Sequence, residues 1–252
     1  MTDRYARQTV LPEIGEAGQA RLAAASVLVV GAGGLGCPVL QYLVGAGVGR
    51  LTIVDHDTVE ETNLHRQPLY GMAEIGKLKA EAAKATLLRF NPQIRIDAVP
   101  ERLTPQNAAT LVADADIVVD AADSFAVTYM LSDVCHTVAK PLVSASVIGM
   151  TGYAGVFCGG GPSYRAVFPE VSVDGGTCAT VGVIGTAVAT MGSLQAHLAM
   201  HHLLGLEPAV LGRVVTFDAK RVGFGGFDFT GSPEPEERVA FIAPDQVRSD
   251  DI

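Results

Sequence analysis

Residues 26–36 read SVLVVGAGGLG, and this stretch decides the fold. Its first half, Ser26–Val30, is a β-branched run of the kind found in a parallel strand buried on both faces. The run breaks into Gly31, Gly33 and Gly36 in G-x-G-x-x-G spacing, with Gly34 between them. Glycines so placed permit a tight strand-to-helix turn. They also let a phosphate come close to the N-terminus of the next helix.

Outward from that turn the chain predicts a helix over 34–45 and a second strand, LTIVD, over 51–55. A helix fits 77–90 and is closed by Asn91-Pro92, and strands fit 94–99 and 116–120 (DIVVD). A helix is expected over 124–139, then strands at 141–149 and 152–158 around a glycine turn. The Gly-, Pro- and Ser-rich stretch 159–181 reads as a long loop, a kind usually functional or disordered. A mostly apolar helix over 183–204 and a closing hairpin, 214–219 with 222–229, complete the reading. The expected fold is α/β and Rossmann-like, a mostly parallel sheet continued by antiparallel strands. One domain over 1–230 precedes an acidic, proline-containing tail, 231–252, read as loosely packed.

Composition agrees with that class. The 252 residues are 48% apolar, 18% charged and include 28 glycines, enough for one large core with tight turns. A net charge of -9 excludes a nucleic-acid binder, because no basic stripe is available for phosphates. No signal peptide is read in residues 1–16 and no membrane span anywhere, so a cytoplasmic location is expected. Cys37, Cys135, Cys158 and Cys178 lie far apart and read as free thiols.

Asp55 ends the second strand, where a carboxylate accepts hydrogen bonds from ribose hydroxyls. Strand, glycine loop, helix, strand and acid together indicate nucleotide binding, with NAD, FAD and ATP all open at this point. The residues after Asp55 narrow the choice. DHDTVEETNLHRQ brings Asp57, Asn63, Arg66 and Gln67 into one short loop, and Lys79 stands at a helix start. Cations there suit charge developing on an α-phosphate and a departing pyrophosphate. The plainer reading makes both of them solvated surface charges.

RYARQTVLPEIGEAGQARL, the glycine loop, IVDHDTVEETNLHRQ, IGKLKAEAA, DIVVDAAD, PLVSASVIGMTG, Thr177-Cys178 and GSLQAHLA occur in the order of a known family. From about Arg4 to Ala219 the chain resembles the HesA/MoeB/ThiF group of E1-like adenylyltransferases. The resemblance implies ATP with Mg²⁺ as the nucleotide. It gives Asp55 to the ribose, Asn63, Arg66 and Lys79 to the triphosphate, and Asp123 to Mg²⁺; Asp57 lies beside them. It also implies a homodimer in which Arg7 reaches the partner's ATP. The implied substrate is the C-terminal carboxylate of a ubiquitin-fold sulfur-carrier protein ending in Gly-Gly. A sulfur-donor protein then serves thiamin, molybdopterin or related biosynthesis.

Four departures stand out. Ser163 and Ala166 occupy positions where many relatives carry the first zinc cysteines, and no cysteine follows Cys178, so no structural zinc site of that type is expected. Ser124 and Thr128 replace the family's Asn and Arg after Asp123. His65 replaces the usual glutamine before Arg66. Cys178 matches a cysteine that captures the carrier in some relatives, but Thr180 stands where the family has Glu; capture and an inert loop thiol remain equal readings. Cys37 and Cys135 read as packing residues. His197 and His201, one helical turn apart, are a weak metal candidate without a third ligand. Three other functions stand beside the first: modification of a peptide or small-molecule carboxylate or carboxamide in natural-product assembly, a non-catalytic E1-like partner subunit, and a nicotinamide dehydrogenase.

Overall fold

The computed structural model describes residues 3–169 and 182–236. Cys178, with the glycines before it, lies outside the described residues. In chain order the elements are α1 (Ala6–Thr9), α2 (Gly15–Ala24), β1 (Ser26–Val30), α3 (Gly36–Ala46), β2 (Arg50–Val54), α4 (Lys79–Phe90) and β3 (Arg95–Val99). Next come α5 (Pro105–Ala113), β4 (Ile117–Asp120), α6 (Phe125–Thr137), β5 (Pro141–Ile148), β6 (Thr151–Cys158), α7 (Tyr164–Val167), α8 (Gly185–Leu204), β7 (Arg213–Asp218) and β8 (Gly223–Asp228).

All eight strands join one sheet in the order β3-β2-β1-β4-β5-β6-β7-β8. Pairings from β3 to β5 are parallel and those from β5 to β8 antiparallel, as expected from the sequence. The β1 run is continuous because both of its faces are covered. Val27 and Val29 belong to one apolar layer with Leu22 of α2, Leu40 and Leu43 of α3, Leu87 of α4 and Met191 of α8. Leu28 and Val30 belong to the other, with Val112 of α5 and Tyr129 and Leu131 of α6. Burying each such side chain stabilises the fold by about 1.5–3 kcal/mol.

The strand order reverses at β1, from which the chain winds outward to β3 and then returns to β4. In open α/β sheets the crevice beyond the carboxyl ends of such strands is where ligands bind. The β1–α3 loop and the β4–α6 turn therefore frame the site.

Several elements differ from the sequence reading. Helices α2 and α5 were not expected. Within the stretch read as a loop, the residues around α7 are core: Ser163, Tyr164 and Arg165 are all at most 1% exposed. Arg165 is buried because Asp133 of α6 receives its guanidinium at 2.7 and 2.8 Å, with the Tyr129 ring beneath it at 4.8 Å. The tail is not loose where it begins. The Glu234 carboxylate accepts from the Ser163 N–H and hydroxyl, each at 2.6 Å, and so ties residue 234 to the start of α7.

Candidate active site

The glycine loop is shaped by backbone contact. Gly31 has φ of +97°, and a Cβ on Gly36 would fall 2.1 Å from the Gly31 carbonyl oxygen. A Cβ on Gly31 would strike Ala121 O at 2.6 Å, so the loop lies directly against the β4–α6 turn that carries Asp123. Gly34 leaves room for two neighbours: a Cβ there would lie 2.7 Å from Val188 of α8 and 3.6 Å from Arg66 Cγ and Cδ. The aliphatic stem of Arg66 thus lies over the loop.

Asp55 is buried, and backbone N–H groups meet both of its oxygens. Ala32 donates to Oδ2 at 2.7 Å and Asp57 to Oδ1 at 2.8 Å. Burial pushes its pKa up against those bonds and the Lys79 charge. A carboxylate oxygen has more than one acceptor direction, so each can still take a ligand hydroxyl. Lys79 opens α4 and lies 6% exposed, with Nζ 3.0 Å from Asp57 Oδ2. Partial burial opposes ionisation of Asp57, but Lys79 outweighs it, with help from His56 and Arg102, and holds that carboxyl below its usual range.

Arg66 is oriented by its own loop. Nη2 donates to Asn63 Oδ1 at 2.8 Å, while Nη1 lies 2.8 Å from His65 Nε2 and 3.3 Å from Thr62 O. Asp123 is exposed beyond β4, and its carboxylate has no hydrogen-bond partner among the described residues. Asp55, Asp57, Asn63, Arg66, Lys79, Asp123 and the four loop glycines therefore gather at one edge of the sheet. Arg7 does not join them. Its helix α1 docks at the opposite end of α3, where Gln8 donates to Ala46 O at 3.1 Å and Tyr5 packs on Gly47. Since α3 is 11 residues long, about 16 Å, Arg7 cannot reach its own chain's glycine loop.

Sequence reasoning missed three supports. The Tyr70 hydroxyl donates to Ala32 O at 2.8 Å, with Lys79 O at 3.3 Å, and joins the glycine loop to the start of α4. Gln67, which the sequence already placed in this loop, lies buried beside Gly33. Asp120 is fully buried and accepts from Thr128 Oγ1 at 2.6 Å, Ser144 Oγ at 2.8 Å and Ala122 N at 3.3 Å. Burial raises its pKa to about 6 against those three bonds. Gln195 of α8 donates to the carbonyls of Asp120 and Val143, which locks the β4 end from the other layer.

The other thiols are packing groups, and burial pushes Cys37 up to about 12 and Cys135 higher still. The positions around α7 do not fit a thiolate zinc site, because Ser163 is committed to Glu234 and Ala166 offers no ligand atom. The His197 and His201 rings stand 5.9 Å apart, and burial followed by the His197 charge lowers the pKa of His201. The one cluster of three metal-type donors among the described residues is Asp55, His56 and Asp57, with Asp57 already paired to Lys79. A groove of about 470 Å³ runs over the antiparallel half, lined by Ser146, Tyr153, Thr216, Arg221 and Phe224. A second groove, beside Lys77, Glu81 and Arg89, touches none of the residues gathered at the glycine loop. No helix among the described residues is long and apolar enough to cross a membrane.

A doubly wound sheet with a phosphate-type loop, a backbone-held acid after β2 and two cations beside the loop defines a nucleotide-binding enzyme domain. The chain belongs to the ThiF family, whose profile matches residues 5–238. It is 44% identical over 230 residues to a sulfur carrier protein adenylyltransferase of Thermus thermophilus, covering 88% of this chain and 85% of that one. It is 41% identical over 234 residues to a SAMP-activating enzyme E1 of Haloferax volcanii, covering 92% and 87%. To the adenylyltransferase and sulfurtransferase MOCS3 of Bos taurus it is 47% identical over 224 residues, covering 88% of this chain but only 49% of that protein. Among solved structures, E. coli MccB superposes with a TM-score of 0.80 at 21% identity, covering 96% of this chain and 75% of that one. That last likeness shows the fold alone.

Proposed function

We propose that this protein is an ATP-dependent adenylyltransferase that activates the C-terminal carboxylate of a ubiquitin-fold sulfur carrier. The observation that carries the reading is the meeting of Asp55, Arg66, Lys79 and Asp123 around one glycine loop. Asp55 accepts the ribose hydroxyls, and the loop N–H groups with the N-terminus of α3 receive phosphate oxygens. Arg66 and Lys79 neutralise charge on the α-phosphate and the departing pyrophosphate. Asp123 offers the unpaired hard oxygen that would hold Mg²⁺, which when bound screens the phosphates from one another. The attacking carboxylate is already ionised at neutral pH, so no general base is required. Catalysis is positioning and charge stabilisation.

The groove over the antiparallel half supports a protein tail as substrate. Ser146 lines it and lies two residues beyond Ser144, which bonds Asp120, about 7 Å along the strand. An extended Gly-Gly terminus entering from the β8 edge, past the exposed Phe224, is placed by this reading near the turn that carries Asp123. The unit is a homodimer in which Arg7 enters the partner's site, since it cannot enter its own. Sulfur is delivered to the acyl-adenylate by a donor protein, with Cys178 as the candidate capture thiol. The test is Mg²⁺-dependent ATP–pyrophosphate exchange that requires a Gly-Gly-ended ubiquitin-fold carrier. Exchange independent of any carrier, or none with a panel of such carriers, counts against the reading.

A further inference from the structure

We propose that His65 is a positioning residue for Arg66, whose imidazole Nε2 accepts from the guanidinium and holds it over the glycine loop. The proposal rests on the reading of the site as a nucleotide site.

An arginine guanidinium carries five N–H donors and no acceptor. The 2.8 Å contact between Arg66 Nη1 and His65 Nε2 therefore fixes the tautomer: Nε2 supplies a lone pair and the proton sits on Nδ1. Together with Asn63 Oδ1 on Nη2 and Thr62 O on Nη1, this bond uses three of the five donors. Nε–H and one Nη2 hydrogen remain for an anion. The loop thus presets a cation that would otherwise swing on a flexible stem.

The backbone of His65 is itself clamped. A Cβ on Gly185, the first residue of α8, would fall 2.6 Å from the His65 carbonyl oxygen, so α8 rests directly on that peptide. The imidazole itself is exposed. Its loop is tied further by Glu60, which accepts from the Thr62 hydroxyl and the Asn63 amide at 3.3 Å each.

Glutamine is the diagnostic replacement, because its Oε1 can accept from Arg66 as the imidazole does, whereas alanine removes the acceptor. The three proteins, wild type, His65→Gln and His65→Ala, are compared in ATP–pyrophosphate exchange and in direct ATP binding by equilibrium dialysis. The expected result is that His65→Ala raises the KM and Kd for ATP about tenfold, with kcat changed less than KM. His65→Gln keeps the wild-type values. A Kd for ATP raised in His65→Gln as far as in His65→Ala overturns the proposal, and so does an unchanged Kd in His65→Ala. If ATP binding follows the expected pattern while no carrier supports exchange, the adenylation reading fails and the role of His65 stands. Absence of ATP binding in all three proteins overturns both.

Discussion

Lys79 and Asp57 form a pair in which the lysine is the buried member, 7% exposed at its side chain against 55% for the acid, at 3.0 Å. An ammonium kept out of water beside a glycine loop carries a desolvation cost that structure alone does not require. Removing one partner of an ion pair is costly when the other is left buried, but Asp57 is exposed and stays solvated without the lysine. Lys79→Met is therefore expected to keep or raise the urea midpoint while lowering exchange by roughly 10²-fold. A variant that loses stability and activity in step would make Lys79 a structural residue.

Asp123 separates the same two properties from the acidic side. It is exposed and unpaired among the described residues, so Asp123→Ala leaves the thermal midpoint within about 1–2 °C of wild type. Exchange falls roughly 10²-fold or more, and raising Mg²⁺ recovers part of it. Undiminished exchange would remove the metal role from this residue.

The position of Arg7 at the far end of α3 makes a complementation experiment decisive. Arg7→Ala and Asp123→Ala proteins, each inactive, are mixed and allowed to exchange subunits. Hybrid dimers then hold one site with both residues intact, and about a quarter to a half of the wild-type activity per dimer returns. Hybrids that form, as seen by native mass spectrometry, and stay inactive rule out the trans role.

Asp120 makes stability depend on pH in a direction unusual for an acid. Its folded pKa is raised from 3.8 to about 6, so the folded state holds the proton more tightly. That contribution is fully present below pH 3.8 and is lost as pH rises through about 6. The change amounts to roughly 3 kcal/mol at most. Asp120→Asn does not titrate, so urea midpoints at about pH 4.5 and pH 7.5 should show the variant gaining on wild type as pH rises. Parallel profiles would mean that Thr128 and Ser144 hold the carboxylate ionised throughout.

Strands β1, β2 and β4 were legible in the sequence because each is an apolar run ended by a glycine or an acid, and burial on both faces leaves no other pattern. The loop residues of the site were legible for a related reason, since Asp55 to Lys79 lie within one short span. Helix α5 was missed although its start is written plainly, with Thr104 capping Asn107 and Pro105 in the first turn. Helix α2 had no such mark, being Ala-rich with Gly18, Gln19 and Leu22 as its buried residues. Asp120 could not be found from the sequence, because its partners Thr128, Ser144 and Gln195 come from three separate elements and meet only when the two layers close. Arg7 is the converse case. The family resemblance implies a role across a dimer, and the docking of α1 against the end of α3 sets Arg7 apart from its own chain's glycine loop.

The joint between Ser163 and Glu234 is made of one backbone nitrogen and three oxygens. None of those atoms is sulfur, so an oxidant finds no thiol in this joint to attack. Acid is the reagent that loosens it, because a protonated carboxyl loses the charge that makes both bonds strong.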